Sequence, residues 1–593
     1  MTVEVTAFYF GPPERPLCGW LHVPSADTLS DTGILVCNPL GYDALCLHRT
    51  QRSIATAAAS RGMPALRFDY DGKGDSAGTD SDPERLGAWI HSVQLAVSEL
   101  QQLTGVSRVC VFGVRMGATL ALLAARESPA ITAVIAVNPV SDGRRYLREL
   151  RAMAVTSSQV MADDPADPSG IQDFSGLVMT RATRDAISAI KLDGDETRGA
   201  PARLLLVERT DLPANDALAR RLEAQGCDVQ RKAFAGYGDM LRSAHESVVP
   251  HDDIRQWLDW VSHAPASGPA PRIPNSYCSS CRIAWQAADG VTLLEETVLR
   301  LDPPSRIFGV LTRPAARSAN PGRVLLLLNS GAIHHIGPHR IYVRAARECA
   351  ARGVAVLRFD LPGLGDSPVL AGHEDNATYP DDAVQMIRPV LDYLRREVGV
   401  SEVDCAGICS GAYHALKLAA AGEPLRQVTV INPLTFFWKP HLPLSPPEFQ
   451  DVANMQRYRR KGLSREAWIR LLKGEVHVGK IIGVLLRRWS RKALLSLREL
   501  ARLLGIRLQD DLAAELRDIA RRGTRIHFIF ADRDPGGQML RDEGGYTVGR
   551  IARTGRLDVQ TIVNADHTFT SWRNQQVLVN RIVELTTGGT VSR

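Results

Sequence analysis

Several things are scarce in this sequence, and each scarcity narrows its class. Only 10 of 593 residues are cysteine, and they are irregularly spaced, which fits reduced thiols rather than a disulfide framework. The single CxxC, Cys278 and Cys281, has no second pair and falls in a linker, so no metal site is expected there. No uncharged apolar run approaches the ~18 residues of a membrane-spanning helix. The opening MTVEVTAFYFGPPERP has neither a basic region nor a long apolar one, so no secretory signal and a cytoplasmic location are expected. A formal net charge of +6 is small for this length and gives no reason to expect a nucleic-acid partner. The glycine-rich segments lack the dinucleotide and P-loop fingerprints, so no cofactor is expected.

What remains is an ordinary globular composition, 45% hydrophobic and 23% charged, in a chain too long for one core. The chain repeats itself. LCGWLHVP at 17–24 answers IFGVLTRP at 307–314, and RGMPALRFDYDGKGDSAG at 61–78 answers RGVAVLRFDLPGLGDSPV at 352–369. RVCVFGVRMGATLALLAA at 108–125 answers EVDCAGICSGAYHALKLAA at 402–420, and ARLLLVERTDLP answers RIHFIFADRDPG, all in the same order. Residues 262–276, rich in Pro, Ala and Ser, read as a linker. The expected units are therefore 1–261 and 277–593, packed as an intramolecular pair. In each, short continuous apolar runs such as ILVCN and VLLLLN alternate with helical patterns. That alternation predicts mostly parallel sheets covered by helices, with the site beyond the carboxyl ends of the strands.

The second unit carries a chemical constellation at those ends. Gly407-Ile408-Cys409-Ser410-Gly411 lies between a strand-like and a helical segment, the context of a nucleophile elbow with cysteine in the reactive position. The helix that follows aims its N-terminus at the side chain, which favours a thiolate and a developing oxyanion alike. Asp534 follows the run IHFIFA, and His567 follows VQTIV, the order in which such a site presents acid and base. Histidine can take and return a proton near neutral pH, and a carboxylate fixes its tautomer. Asp532 is the competing acid. The expected oxyanion donors are the backbone N–H of Ser410 and one from the loop holding Gly331 and Ala332.

The first unit keeps the frame without this chemistry. Arg115 replaces the nucleophile in Gly113-Val114-Arg115-Met116-Gly117, Asp211 keeps the acid position, and Gly238 aligns with the base. A guanidinium cannot form an acyl-enzyme, and His245, seven residues on, would have nothing to activate. Two readings of Arg115 stand open: an internal pair with Asp211, or a hold on a ligand carboxylate or phosphate. Asp69, Asp75, Asp360 and Asp366 read as loop-bracing residues.

With these motifs in view, the chain resembles two copies of the α/β-hydrolase superfamily. RFDxxGxGDS together with NSGAIHHIGPHR is similar to the hydrolases found beside exopolysaccharide and exosortase systems and in acyl-tailoring clusters. The resemblance implies hydrolysis or transfer of esters, thioesters or amides through a covalent acyl-enzyme. Cys409 departs from the usual serine, although dienelactone-hydrolase-like relatives use cysteine. The leading expectation is a thioesterase or acyltransferase acting through a Cys409 acyl-thioester, with water, alcohol or amine as acceptor. The rivals are a non-catalytic scaffold for an acylated ligand and a plain carboxylesterase.

Two insertions fit lids in this frame. One runs over about 143–200 and reads as a small helical cap. The other, about 436–507, carries 16 Lys/Arg against 5 Asp/Glu and is helical by period. It suits a plain lid, a dock for an acidic acyl carrier protein or acyl-CoA, or a peripheral contact with an anionic membrane.

Overall fold

The computed structural model describes residues 3–24, 30–156, 170–194, 199–213, 215–261, 277–287, 290–301, 306–316, 322–439 and 509–588. The expected linker at 262–276, and the expected lid beyond residue 439, lie outside these residues. No helix among them is long and apolar enough to cross a membrane.

The first unit is built on strands Val3–Phe10 (β1), Leu17–Pro24 (β2), Thr32–Cys37 (β3), Ala65–Phe68 (β4), Arg108–Val114 (β5) and Ile131–Val137 (β6). A hairpin, Gln172–Phe174 (β7) and Leu177–Met179 (β8), precedes Arg203–Arg209 (β9) and Asp228–Phe234 (β10). The sheet order is β1-β2-β4-β3-β5-β6-β9-β10. The second unit runs Ser280–Ala287 (β11), Gly290–Arg300 (β12), Phe308–Pro314 (β13), Arg323–Leu328 (β14) and Ala355–Phe359 (β15). It continues through Glu402–Ile408 (β16), Gln427–Ile431 (β17), Arg525–Ala531 (β18) and Leu557–Ile562 (β19), in the order β11-β12-β13-β15-β14-β16-β17-β18-β19. Within the two large sheets, the pairings beyond β4 and β15 in these orders are parallel, while β1, β2 and β11 to β13 pair antiparallel, as do β7 and β8 in their separate hairpin. The inner parallel strands are apolar because helices cover both of their faces, and β3 and β15 have no exposed residue, whereas the edge strands β10 and β19 carry exposed polar residues.

The expected cap is not purely helical. Its helices Gly143–Thr156 and Arg181–Ser188 flank the β7–β8 hairpin. Ser175 and Gly176 both have positive φ, 55° and 89°, which is the backbone twist a tight hairpin turn requires. Apolar periodicity does not register strands of three residues. A side chain at Gly176 would collide with the His339 ring, 2.1 Å away in the second unit. Asp173, beside the turn, accepts a hydrogen bond from the Trp572 N–H at 2.7 Å.

The two units meet through an exchange of charge. Arg67 of the first donates to Asp366 of the second at 2.6 Å, and Arg358 of the second pairs with Asp75 of the first. These are equivalent residues of the two RFDxxGxGDS segments. Asp69 and Asp360 do brace their own loops, accepting the N–H of Asp75 and of Asp366 at 3.0 Å. Asp75 and Asp366 instead reach across. His335 lies fully buried between Asp360 at 2.8 Å and Asp75 at 2.6 Å. Burial opposes its charge, yet Asp360 and then Asp75 push it up to about 10. Asp75 is held well below the ordinary carboxylate range, against its own desolvation, by Arg358 and His335. Arg340 donates to the carbonyls of Gly72, Gly74, Ser76 and Gly78 at 2.6–2.9 Å, closing the opposing loop. His335, Asp360 and Asp366 offer ligand atoms within 4.8 Å of one another, but Arg67, His48 and Asp75 already engage the group.

Breaking one partner of a buried ion pair typically costs about 3–5 kcal/mol, because the other charge is left uncompensated. His335 has a folded value near 10 against an ordinary 6.5. Its contribution is therefore full below about pH 6.5 and is lost as pH rises through about 10. We expect His335→Gln to lower the melting temperature, and the gap between variant and wild type to narrow as pH rises from 6.5 to 10. Thermal unfolding of both proteins across that range checks it; a gap independent of pH would show that His335 is not charged in the fold.

Candidate functional site

Two elbows occupy the same place in the two sheets. Cys409 follows β16 with φ 60° and ψ −118°, and Arg115 follows β5 with φ 52° and ψ −118°. Such left-handed backbone costs a non-glycine residue about 1–3 kcal/mol and persists only where its surroundings impose it. Here the surroundings are the flanking glycines. A Cβ at Gly407 would sit 2.2 Å from the Gly411 backbone, and one at Gly411 would sit 2.6 Å from the carbonyls of Leu328 and Asn329. Gly113 and Gly117 are as tightly packed, at 2.5 Å. The helix Ser410–Ala420 starts directly after Cys409, which is partly exposed, whereas seven of the other nine cysteines are buried.

The expected partners meet at the second elbow. His567 Nδ1 lies 2.5 Å from Asp534 Oδ2. Asp534 is held in turn by the Gly536 N–H at 2.7 Å. The His567 carbonyl accepts from Asn432 Nδ2 at 2.8 Å, and Asp566 braces the loop through Thr570. Burial disfavours charge on His567, but the Asp534 carboxylate and its hydrogen bond outweigh this and hold the ring well above its ordinary value. A smaller part comes from the neighbouring Cys409 side chain. Asp532 is tied by its backbone N–H to Ile562 O at 3.0 Å; Asp534 is the carboxylate that His567 Nδ1 engages.

Among the expected oxyanion donors the structure makes a distinction. The Gly331 N–H already donates to Ser410 Oγ at 2.9 Å, so that hydroxyl clips the loop to the helix. The N–H groups of Ala332 and Ser410 make no protein hydrogen bond among the described residues. Asn329 holds the base of the loop through Asp360 at 2.8 Å and Ile333 O at 3.0 Å.

An aromatic wall beside Cys409 is not visible as a motif. Tyr379 stacks on Trp438 at 4.1 Å and meets Tyr413 edge-on at 5.3 Å. His414, kept neutral by burial with its value lowered to about 4, hydrogen-bonds the Thr378 carbonyl at 3.0 Å. That bond fixes the Tyr379 segment over the first turn after Cys409. Burial, with the neighbouring Cys409, raises the Tyr379 hydroxyl far above its ordinary value. These residues come from three separate segments, and only the tertiary fold brings them together.

The first elbow is saturated from within. Arg115 pairs with Asp43 at 3.0 Å and Glu149 at 2.9 Å, and lies over the Tyr146 ring at 5.6 Å. The expected pair with Asp211 is not made. Asp211 is largely exposed and bound to Arg209 at 2.5 Å, while Arg115 points back towards the helices Tyr42–Ala59 and Gly143–Thr156, which supply Asp43 and Glu149. Gly238, in the short helix Tyr237–Met240, offers no side chain. His245 lies near Ser243 and Glu246.

Two family models match the chain. One, described as serine aminopeptidase S33, matches residues 47–184, a stretch whose elbow holds arginine; the other, described as the alpha/beta hydrolase family, matches residues 324–580. A curated relative, the alpha/beta hydrolase ucsC of an Acremonium species, is 25% identical over 240 residues, which are 37% of this chain and 46% of that protein. The chain thus spans about half the length of that relative. Similar solved structures include a serine hydrolase without a lid from Xanthomonas campestris, at 17% identity and a TM-score of 0.28, covering 44% of this chain and 97% of that one. Est1E from Butyrivibrio proteoclasticus with ferulic acid bound matches at 17% identity and a TM-score of 0.33, covering 43% of this chain and 98% of that one. From the family matches and the two sheets together, the chain carries two α/β-hydrolase-type units in tandem.

Proposed function

We propose that the second unit is an acyl-transfer enzyme of the thioesterase or acyltransferase kind, with Cys409 as nucleophile. The observation that carries this reading is the partly exposed cysteine on a strained elbow, beside a histidine whose far nitrogen is held by a buried carboxylate at 2.5 Å. In the proposed reaction the Cys409 thiol gives its proton to His567 and the sulfur adds to the carbonyl carbon of a thioester or activated ester. The developing oxyanion is met by the N–H groups of Ser410 and Ala332. On collapse the bond to the leaving group breaks, and that group takes the proton from His567. Water, an alcohol or an amine then attacks the acyl-thioester, gives its proton to His567, and Cys409 recovers it. A thiol nucleophile exchanges nearly isoenergetically with a thioester, which makes acyl-CoA or an acyl carrier protein the proposed donors.

The wall formed by Tyr379, Tyr413 and Trp438 suits an acyl group with a flat or extended apolar body. Lys417 lies 3.9 Å from the Phe437 ring centre and is neutralised by Glu515 at 2.7 Å. Among the described residues it thus brings no free charge to this wall. Hydrolysis of simple oxyesters is the second reading, favoured by the match of residues 324–580 to the alpha/beta hydrolase family. In both readings the first unit is non-catalytic, because Arg115 fills its elbow.

Cys409→Ala should abolish turnover of acyl thioesters and oxyesters while leaving the melting temperature within a few degrees, since a small turn residue contributes little packing. Normal turnover by this variant would remove the mechanism. Asp534→Asn should lower the rate by on the order of 10³–10⁴-fold, because the ring loses its fixed tautomer. It should also move the acidic limb of the pH profile to lower pH, since His567 must be neutral to take the thiol proton and the charge that raises it is gone. An unmoved limb would show that Asp534 does not set the charge of His567.

A further inference from the structure

The repeat supplies an internal control for every buried group at the boundary between units. On the second unit's side, Glu296 of β12, Thr312 of β13, Arg358 of β15 and Arg347 are all fully buried. Arg347 donates to both Glu296 oxygens, at 2.8 and 3.1 Å, and Thr312 donates to the same carboxylate at 3.0 Å. Arg347 also reaches the carbonyls of Asp75 and Ser76 in the first unit, at 3.1 and 3.2 Å. A Glu–Arg pair thus plugs that side of the boundary.

Strand register identifies the counterparts. Thr312 faces Glu296 on one side and Val356 on the other, as His22 faces Val5 and Ala65. Val5 therefore stands where the second unit has Glu296. Counting back from the Arg-Gly that follows each helix, Arg61-Gly62 and Arg352-Gly353, Thr56 stands where the second unit has Arg347. The first unit lacks the plug, and a cleft of about 800 Å³ lies there, with Val5, Thr56 and His22 on its wall. That volume is within the ~300–1,000 Å³ of small-molecule sites.

The chemistry of the cleft is asymmetric. Arg67 and Asp366 satisfy each other at 2.6 Å. His22 is kept neutral by burial and by Arg67, and its ring is engaged by Thr56 and Arg67 at 3.2 and 3.1 Å. Trp20 and Phe308, 5.9 Å apart, give an apolar surface continued by Val298 and Leu299. Arg300 and Arg306 stand on the wall with Glu4 as the opposing acid. Arg52, also on the wall, is shared with Asp375 at 3.0 Å.

We propose that this cleft binds an anionic amphiphile of small-molecule size, its anionic head beside Arg300 and Arg306 and its apolar body against Trp20 and Phe308. The site exists because the first unit has lost the Glu–Arg plug that the second retains. It is separate from the Cys409 centre and does not depend on the reading of that centre.

The test is titration of the full-length protein with 8-anilinonaphthalene-1-sulfonate, followed by competition with dodecanoate and with dodecanol. Saturable binding of one equivalent is expected, reversed by dodecanoate and not by dodecanol. Val5→Glu with Thr56→Arg rebuilds the plug, and should weaken binding about tenfold or more without lowering the melting temperature. Ala57→Trp, which fills the same cleft, should weaken it as well and serves if the double variant does not fold. Protein alkylated at Cys409 should bind as the untreated protein does. No saturable binding, undiminished binding by the folded filling variants, or loss of binding on Cys409 alkylation would overturn the proposal. Equal competition by dodecanol would overturn its anionic part.

Discussion

Each unit buries a carboxylate that groups of the other unit neutralise, an arginine foremost. Asp75 depends on Arg358 and His335, and Asp366 depends on Arg67. With the units packed, removing either arginine would leave a buried carboxylate without that partner, a loss that typically costs about 3–5 kcal/mol. The constraint extends to the site. His335 ends the same loop that presents Gly331 and Ala332, and its N–H and ring both bind Asp360 while the ring also binds Asp75. The first unit thereby fixes one end of the loop whose backbone faces the Cys409 elbow. The β7–β8 hairpin adds a second tie close to His567, through Asp173 and the Trp572 N–H.

In the proposed reading the first unit is a non-catalytic copy, which need keep only what the boundary uses. The first unit keeps the strained elbow but fills it with Arg115, whose charge is matched internally by Asp43 and Glu149. The two partners of that guanidinium come from the helices beside it. The boundary-facing arginines and aspartates of the two RFDxxGxGDS segments are kept in both units. The Glu–Arg plug is kept in one, and the space left in the other is large enough to hold a ligand.

The inner parallel strands of both sheets were legible because buried strands read as continuous apolar runs and the repeat aligned them twice; the polar edge strand Asp228–Phe234 was not. The elbow and its order of partners were legible because tight turns demand glycine at fixed offsets, as at Gly407 and Gly411. That Asp534 and His567 would meet could be expected from sequence because each follows a strand end on the same edge of the sheet. The partners of Arg115 were not legible: Asp43 and Glu149 come from a helix start and a cap helix that carry no motif. Asp75 and Asp366 read as loop braces because their own loops demand braces; their role across the boundary appears only when two copies face each other. Tyr379 and Tyr413 were silent for the same reason, since an aromatic wall assembled from distant segments has no spacing to recognise.

The claim on which the functional account rests is that Cys409 carries an acyl group. Intact-protein and peptide mass spectrometry after mixing the full chain with a panel of acyl-CoA and acyl-carrier thioesters tests it most directly. The account predicts one acyl mass, located on the peptide containing Cys409 and absent from Cys409→Ala. An adduct that persists in Cys409→Ala, or that lies on another of the cysteines, would contradict it.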